Sequence, residues 1–314
     1  MKAVLHYRSS SGFRDLLASR VPDWLEIVVV EETDTETFAA AMRDTEVLFH
    51  VLQPVTAAVI HAAPRLRLIQ KIGVGVNTID LTAAQQRGIA VANMPGTNTP
   101  AVVEMTLLLM LATLRRLTAF DTATRQGRGW QPELTSLDAV GEIAGRTVGL
   151  VGYGAVASRL AEVLKALGAT LLYTARQPKA GAAAKWCSLS ELLQQSDIVS
   201  LHLPLTAQSA NLMNAKTFGL MKPGSIFINT ARGGLVDEAA LLDALRSGRV
   251  RAAGLDVFAT EPVAAHNPLL VLEQVVVTPH IAWLTPQTLE RSLAVGLENC
   301  RRLRDGAPLL HRVV

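Results

Sequence analysis

Cysteine is almost missing: the 314 residues include only Cys187 and Cys300, far apart in the chain. Two such cysteines cannot make a disulfide framework and give no zinc-ligand spacing, so no metal is expected. An excess of one charge is missing too. Charged residues are 18% of the chain and the net charge is only +3. A nucleic-acid partner would need Lys and Arg gathered on one face, and here they are dispersed. The one dense group, Arg301, Arg302 and Arg304, falls at the end of an expected helix, where cations complement the helix dipole. Long apolar runs are also lacking. The longest helical candidate, AVVEMTLLLMLATL, is interrupted by Glu104, which argues against a membrane span. The opening MKAVLHYRSSS is too briefly apolar for a signal peptide and reads as a first strand. A soluble, cytoplasmic protein is the expectation.

What is present is a globular composition, 49% hydrophobic, in a chain long enough for two domains. The first hundred residues alternate strand-like runs (KAVLHY, LEIVVVEE, EVLFHV, RLIQKIG, IAVAN) with helical patterns near Leu16, Phe38, Ala58 and Ala84. Thr56 and Asp80 are candidate N-caps. A long apolar helix is predicted over residues 99–125, followed by the polar loop QGRGWQPELTSLDAVGEIAG. A second alternation follows, with strands TVGLVG, ATLLYTA, DIVSLHL, SIFINT, RAAGLDVF and QVVVTP. Strand–helix alternation of this kind implies an α/β fold with parallel sheets covered by helices. The last helix, over 286–304, has no neighbour left at that end and is expected to return to the first domain. The expected division is therefore 1–98 with 285–314, and 99–284.

Gly152, Gly154 and Ala157 form a G-x-G-x-x-A turn between TVGLV and the helix that starts at Ala155. In such a turn the first glycine allows the tight bend and the second lets backbone approach a pyrophosphate. The small third residue permits close helix–strand packing, and the helix N-terminus faces the phosphates. The pattern by itself is weak, but its place between a strand and a helix makes it a dinucleotide-binding turn, with Tyr153, Ala155 and Val156 completing it. NAD selection usually needs an acid at the end of the next strand. That strand ends Tyr173, Thr174, Ala175, Arg176, with Lys179 following. A carboxylate would repel the 2′-phosphate of NADP, whereas an arginine can bind it. NADP is therefore favoured, with NAD possible. The plain alternative is that Arg176 is an exposed loop charge.

Three ionisable residues stand at the ends of strands: Arg232 after SIFINTA, Glu261 after GLDVFAT and His280 after VVVTP. The carboxyl ends of strands line the ligand crevice of an open α/β sheet. Reduction of a 2-keto acid uses these residue types. An arginine clamps the carboxylate and polarises the carbonyl, a histidine protonates the developing alkoxide, and a carboxylate orients the imidazole. Individually each has an ordinary structural reading. His6, His50, His61, His202, His266 and His311 keep that reading.

The segments VGYGAVASRLA, HLPLT, MKPGSIFINTARGGLVDEAALLDAL, AAGLDVFATEP and VVVTPHIAW resemble the D-isomer-specific 2-hydroxyacid dehydrogenases. PGTNTPAVVEMTLLL does so too, and KIGVGVNTIDL is similar to that family's Gly-rich substrate loop. The resemblance implies a doubly wound Rossmann-type cofactor domain and a flavodoxin-like, discontinuous substrate domain. It places the substrate arginine at Arg232, the histidine's acidic partner at Glu261 and the proton donor at His280. It also implies that Asp256 binds the nicotinamide carboxamide, and that Val74 and Gly75 offer N–H groups to the substrate carboxylate. Leu203, Pro204, Thr230 and Ala231 would border the cofactor. A homodimer is expected on the same ground. Formate dehydrogenases share the architecture but carry Gln beside the histidine, so Glu261 argues against that reaction.

Two features depart from the common pattern. Ala157 stands where a third glycine is commoner, and Trp283 stands where many relatives have Gly or Ser. Trp283 either narrows a substrate pocket, as in similar hydroxypyruvate and glycerate-type relatives, or packs in a core or interface. A glyoxylate- or hydroxypyruvate-like substrate follows from the first reading. The alternative to an enzyme is a cofactor-sensing binding protein of the corepressor type, which keeps the same residues without rapid turnover.

Overall fold

The computed structural model describes residues 1–132 and 137–314, which divide into two units. One is Met1–Asn98 with Trp283–Val314, and the other is Thr99–Ala282. Within the polar loop read from the sequence, residues 133–136 lie outside the described residues.

In the first unit, β1 (Lys2–His6), β2 (Glu26–Val30), β3 (Val47–His50), β4 (Leu68–Lys71) and β5 (Ala90–Ala92) form a parallel sheet. The order is β2-β1-β3-β4-β5. Successive side chains point to opposite faces of a strand, and here both faces are covered. Ala3, Leu5, Val47, Phe49 and Leu68 join one core, while Val4, Leu48, Ile69 and Val91 join another. Burying each of these larger side chains is worth about 1.5–3 kcal/mol. The connecting helices start where short polar side chains satisfy first-turn N–H groups. Thr56 accepts from Val59 N and Asp80 from Ala83 N, the caps expected from the sequence.

The helix Pro286–Asp305 is capped by Thr285 and stops at Gly306, whose φ is 67°. Its Leu293 and Cys300 enter the core of the first unit, and Asn299 Nδ2 donates to buried Gln70 Oε1 at 2.6 Å. Beyond it, Val313 N donates to Val91 O at 2.7 Å. The tail so covers the edge of β5, where unpaired backbone groups would otherwise be open. Trp283 lies in this unit, packed against its core with its ring 5.9 Å from that of Tyr7.

The second unit is built on β6 (Thr147–Val151), β7 (Thr170–Thr174), β8 (Lys185–Trp186), β9 (Ile198–Leu201), β10 (Ser225–Asn229), β11 (Val250–Leu255) and β12 (Val275–Val277). All pairings are parallel and the order is β12-β11-β10-β9-β6-β7-β8. The chain enters at β6, winds outward to β8 and crosses back to β9, so the switch point lies between β6 and β9. Alternate residues again divide between two cores: Val148, Leu150 and Ile228 in one, Val151, Leu201 and Phe227 in the other.

Two expectations about elements need correction. The helix read over 99–125 is two helices, Thr99–Leu114 and Leu117–Arg125. Arg116 between them is left-handed at φ 48°, Gly141 N donates to the Leu114 carbonyl at 2.9 Å, and Arg116 pairs with Glu273 at 3.1 Å. No Gly or Pro marks that break, so tertiary contacts decide it. The two-residue strand β8 was also not anticipated, being too short to show alternation. Among the described residues no helix is long and apolar enough to cross a membrane.

Candidate active site

The turn after β6 shows why glycine is needed at its first position. Gly152 has φ 92°, and a Cβ there would lie 2.7 Å from the His202 carbonyl oxygen that follows β9. Gly154 is different. Its φ is an ordinary −91°, and a Cβ would meet nothing within 4 Å, so its missing side chain leaves space open in front of the helix. That helix, Ala155–Ala166, has no side-chain cap, and its first N–H groups remain available to an anion. Ala157 is fully buried in the core beside Leu160. These features fit a dinucleotide's phosphates. The ring of Tyr153, by contrast, turns inward, 4.1 Å from that of Tyr173.

The two tyrosines hold the loop after β7. Tyr153 Oη accepts from Ala183 N at 3.1 Å, and Tyr173 Oη accepts from Lys179 N at 2.6 Å. Trp186 Nε1 donates to Ala175 O at 3.1 Å. Arg176 is exposed on this braced loop, and among the described residues its guanidinium has no carboxylate partner.

Arg232, Glu261 and His280 all follow carboxyl ends of strands in the second unit. Arg232 lies on a turn held by buried Asn229, which donates from Nδ2 to Arg232 O at 2.9 Å and accepts from Ala231 N at 3.0 Å. The next residue must be glycine: a Cβ on Gly233 would sit 1.9 Å from the Phe258 carbonyl. Burial draws the Arg232 guanidinium below its ordinary value, opposed by the Glu261 charge. Thr230 Oγ1 is 2.8 Å from Thr106 Oγ1, while after β9 Leu203 is half-buried and Pro204 exposed.

Glu261 and His280 meet directly, Oε2 to Nδ1, at 2.6 Å. Glu261 Oε1 accepts from Phe258 N at 2.9 Å, so the carboxylate is fixed at both oxygens. Burial pushes this carboxyl up, but the His280 bond and charge, the Phe258 N–H and Arg232 together hold it below its ordinary value. His280 is left-handed at φ 56°, a conformation that persists only where surrounding structure imposes it. The imposing residue is Asp256. Fully buried, it accepts from Thr278 Oγ1 at 2.6 Å and from Ile281 N and Ala282 N at 2.9 Å each. Its carbonyl also accepts from His280 N at 2.7 Å. Both carboxylate oxygens of Asp256 thus hold the turn that carries His280.

Sequence reasoning missed several supports. Asn229 and Thr278 sit inside quoted motifs, and a polar residue at the end of an apolar strand was the available signal. Glu238 accepts from Ala259 N at 2.6 Å and from Asn267 Nδ2 at 2.9 Å, bracing the Glu261 loop from a helix start with no signature of that role.

Val74, Gly75 and Trp283 belong to the first unit. The loop after β4 is held by its carbonyls: Met94 N donates to Gly73 O at 2.8 Å and Asn93 Nδ2 to Val74 O at 2.9 Å. Among the described residues, the N–H groups of Val74 and Gly75 have no partner. Lys71, buried just before this loop, donates from Nζ to Val51 O. His50 beside it bonds Thr78 Oγ1 through Nε2 at 2.8 Å, a satisfied structural histidine. Among the described residues no cluster of His, Cys, Asp or Glu could hold a metal.

Residues 107–282 match the family described as D-isomer specific 2-hydroxyacid dehydrogenase, NAD binding domain. The chain is 39% identical over 275 residues to the D-3-phosphoglycerate dehydrogenase of Mycobacterium tuberculosis, covering 86% of this chain and 51% of that one. It therefore spans about half the length of that relative. It is 38% identical over 282 residues to the glyoxylate reductase of Aeropyrum pernix, covering 86% and 83%. Among solved structures it is similar to the TT0316 protein of Thermus thermophilus, with TM-score 0.89, 36% identity and full coverage of both chains.

Proposed function

Because the chain belongs to the D-isomer specific 2-hydroxyacid dehydrogenase family, we propose that it reduces a small 2-keto acid to the D-2-hydroxy acid. The observation that carries this reading is the 2.6 Å Glu261–His280 pair, held in the same unit as Arg232 and an uncapped Gly-rich helix start. When bound, the reduced nicotinamide supplies the hydride. Arg232 binds the substrate's carboxylate and polarises the keto oxygen. With Nδ1 engaged by Glu261, Nε2 of His280 is the nitrogen that gives a proton to the developing alkoxide. Glu261 orients the ring through that contact. Asp256 acts through the turn it holds; a contact with the nicotinamide carboxamide is the role that resemblance gives it. The N–H groups of Val74 and Gly75 are the further proposed donors to the substrate. Thr99–Ala282 would serve as the cofactor domain and the other unit as the substrate domain.

A glyoxylate- or hydroxypyruvate-like substrate and NADPH are the favoured pair. The first rests on relatives of that activity, such as the Aeropyrum pernix reductase. The second rests on exposed Arg176 and the missing acid at Thr174 and Ala175. A panel of 2-keto acids assayed with NADPH and NADH in parallel tests both, and no turnover with any acid overturns the enzymatic reading. We also propose a cytoplasmic homodimer. Two free, buried thiols suit a reducing compartment. Leu108 and Leu111, one turn apart on a helix, are 50% and 38% exposed, as a subunit contact would require. Light scattering in solution tests the dimer.

A further inference from the structure

The amino-terminal ends of β11 and β12 carry a second cluster of charge. Arg251 is separated from Asp256 by most of a strand, about 16 Å at roughly 3.3 Å per residue. A cavity of about 140 Å³ opens there, lined by Thr113, Arg116, Thr118, Arg251, Glu273 and Gln274 among others. At roughly 30 Å³ per water, that is room for a small molecule. All these residues belong to the second unit.

The charges in this cavity do not balance. Arg116 pairs with Glu273 at 3.1 Å, and the Glu273 side chain is 70% exposed at the rim. Arg251 donates from Nη1 to the Ala139 carbonyl at 2.6 Å, and among the described residues it has no carboxylate within ion-pair distance. Burial lowers the Arg251 guanidinium from its ordinary value, and the like charges of Arg146 and Arg116 lower it further. Two guanidiniums therefore line the cavity against one exposed carboxylate, and Arg146 adds like charge felt by Arg251. Concentrated like charge in a partly desolvated recess is unfavourable unless an anion relieves it. Arginine forks match the paired oxygens of a phosphate, while the Thr118 hydroxyl and the Gln274 amide offer neutral donors.

We propose that this cavity is a binding site for a small oxyanion of the phosphate or phosphomonoester class, distinct from the residues of the candidate active site. Glu273 occupies one arginine when the anion is away and competes with it.

Calorimetric titration with inorganic phosphate, and separately with glycerol phosphate, tests this on the full chain. Arg251→Gln should weaken phosphate binding by about tenfold, the loss of one charged hydrogen-bonding partner. Glu273→Gln should tighten it by about threefold, because a competing surface carboxylate is removed. Repeating the titration with saturating NADPH separates this site from the cofactor loop: phosphate binding should persist, and its loss overturns the proposal. Tighter binding of glycerol phosphate identifies a phosphomonoester, and equal affinities identify phosphate itself. Absence of binding, equal affinity in Arg251→Gln, or weaker binding in Glu273→Gln overturns the proposal. Glu273 is on the exposed rim, so its variant decides the matter even if Arg251→Gln does not fold.

Discussion

At the scale of single residues, His280 and Glu261 divide one task. His280→Ala should lower kcat by about two to four orders of magnitude, the usual worth of a positioned general acid, with a smaller change in KM. Near-normal kcat in the folded variant would remove His280 as the proton donor. Glu261→Gln should lower kcat, since the ring loses the carboxylate that fixes its orientation at 2.6 Å; an unchanged kcat with chemistry rate-limiting would count against the pairing. The same residue has a stability signature. Its carboxyl is held below the ordinary value of 4.5, so the folded state binds its proton less readily than the unfolded chain. That stabilisation is complete above pH 4.5 and is lost as pH falls through the lower folded value. Denaturant titrations from pH 7 to pH 3 should show this component in the wild type and not in Glu261→Gln.

At the scale of elements, the Gly-rich turn and the loop after β7 make separable predictions. A Cβ at Gly154 would meet no heavy atom within 4 Å and needs no unusual φ. Gly154→Ala should therefore cost stability only the roughly 1 kcal/mol of a poorer helix cap while losing much more in cofactor affinity, because the added methyl occupies the space before the helix. Comparable losses of stability and binding would mean the turn is merely structural. Arg176→Ala should weaken NADPH binding by about 1.5–3 kcal/mol and barely change NADH, and Ala175→Asp should push preference toward NADH. Tighter NADH binding by the wild type, or equal weakening of both cofactors, would reduce Arg176 to a loop charge. These elements were readable at different depths. Gly152 announced itself because only glycine fits a bend at φ 92° against the His202 carbonyl. The bracing of the Arg176 loop by Tyr153 and Tyr173 was not readable, because nothing local tells an inward tyrosine from one bordering a ligand.

For the whole molecule, each unit carries a histidine that resists protonation, His50 buried and His202 partly buried with its Nε2 enclosed. Burial lowers His50, in the first unit, to about 2, with Lys71 and His6 adding to the effect. Burial alone lowers His202, in the second, to about 4, and among the described residues its Nε2 has no partner. The unfolded chain takes up these protons near pH 6.5 and the folded chain does not. Stability should therefore decline as pH falls below 6.5 and the His202 share should level off near pH 4. For that residue the loss approaches about 3 kcal/mol. His202→Gln should flatten the decline between pH 6.5 and pH 4, and a variant as acid-sensitive as the wild type would place the sensitivity elsewhere.

Local chemistry by itself determined the α/β class, the strand runs, the caps at Thr56 and Asp80, and the turn at Gly152. Each depends on a short-range rule: alternation across a strand, a side-chain oxygen at a helix start, or a φ that only glycine adopts freely. Tertiary structure decided what depends on residues far apart in the chain. The helix read over 99–125 breaks at Arg116, where Glu273 and Gly141 supply the contacts. Trp283 packs against the core beside Tyr7, and Asp256 holds the turn of His280. Periodicity cannot show such partners, because a side chain's hydrogen bonds and packing are settled only when distant strands bring their ends together.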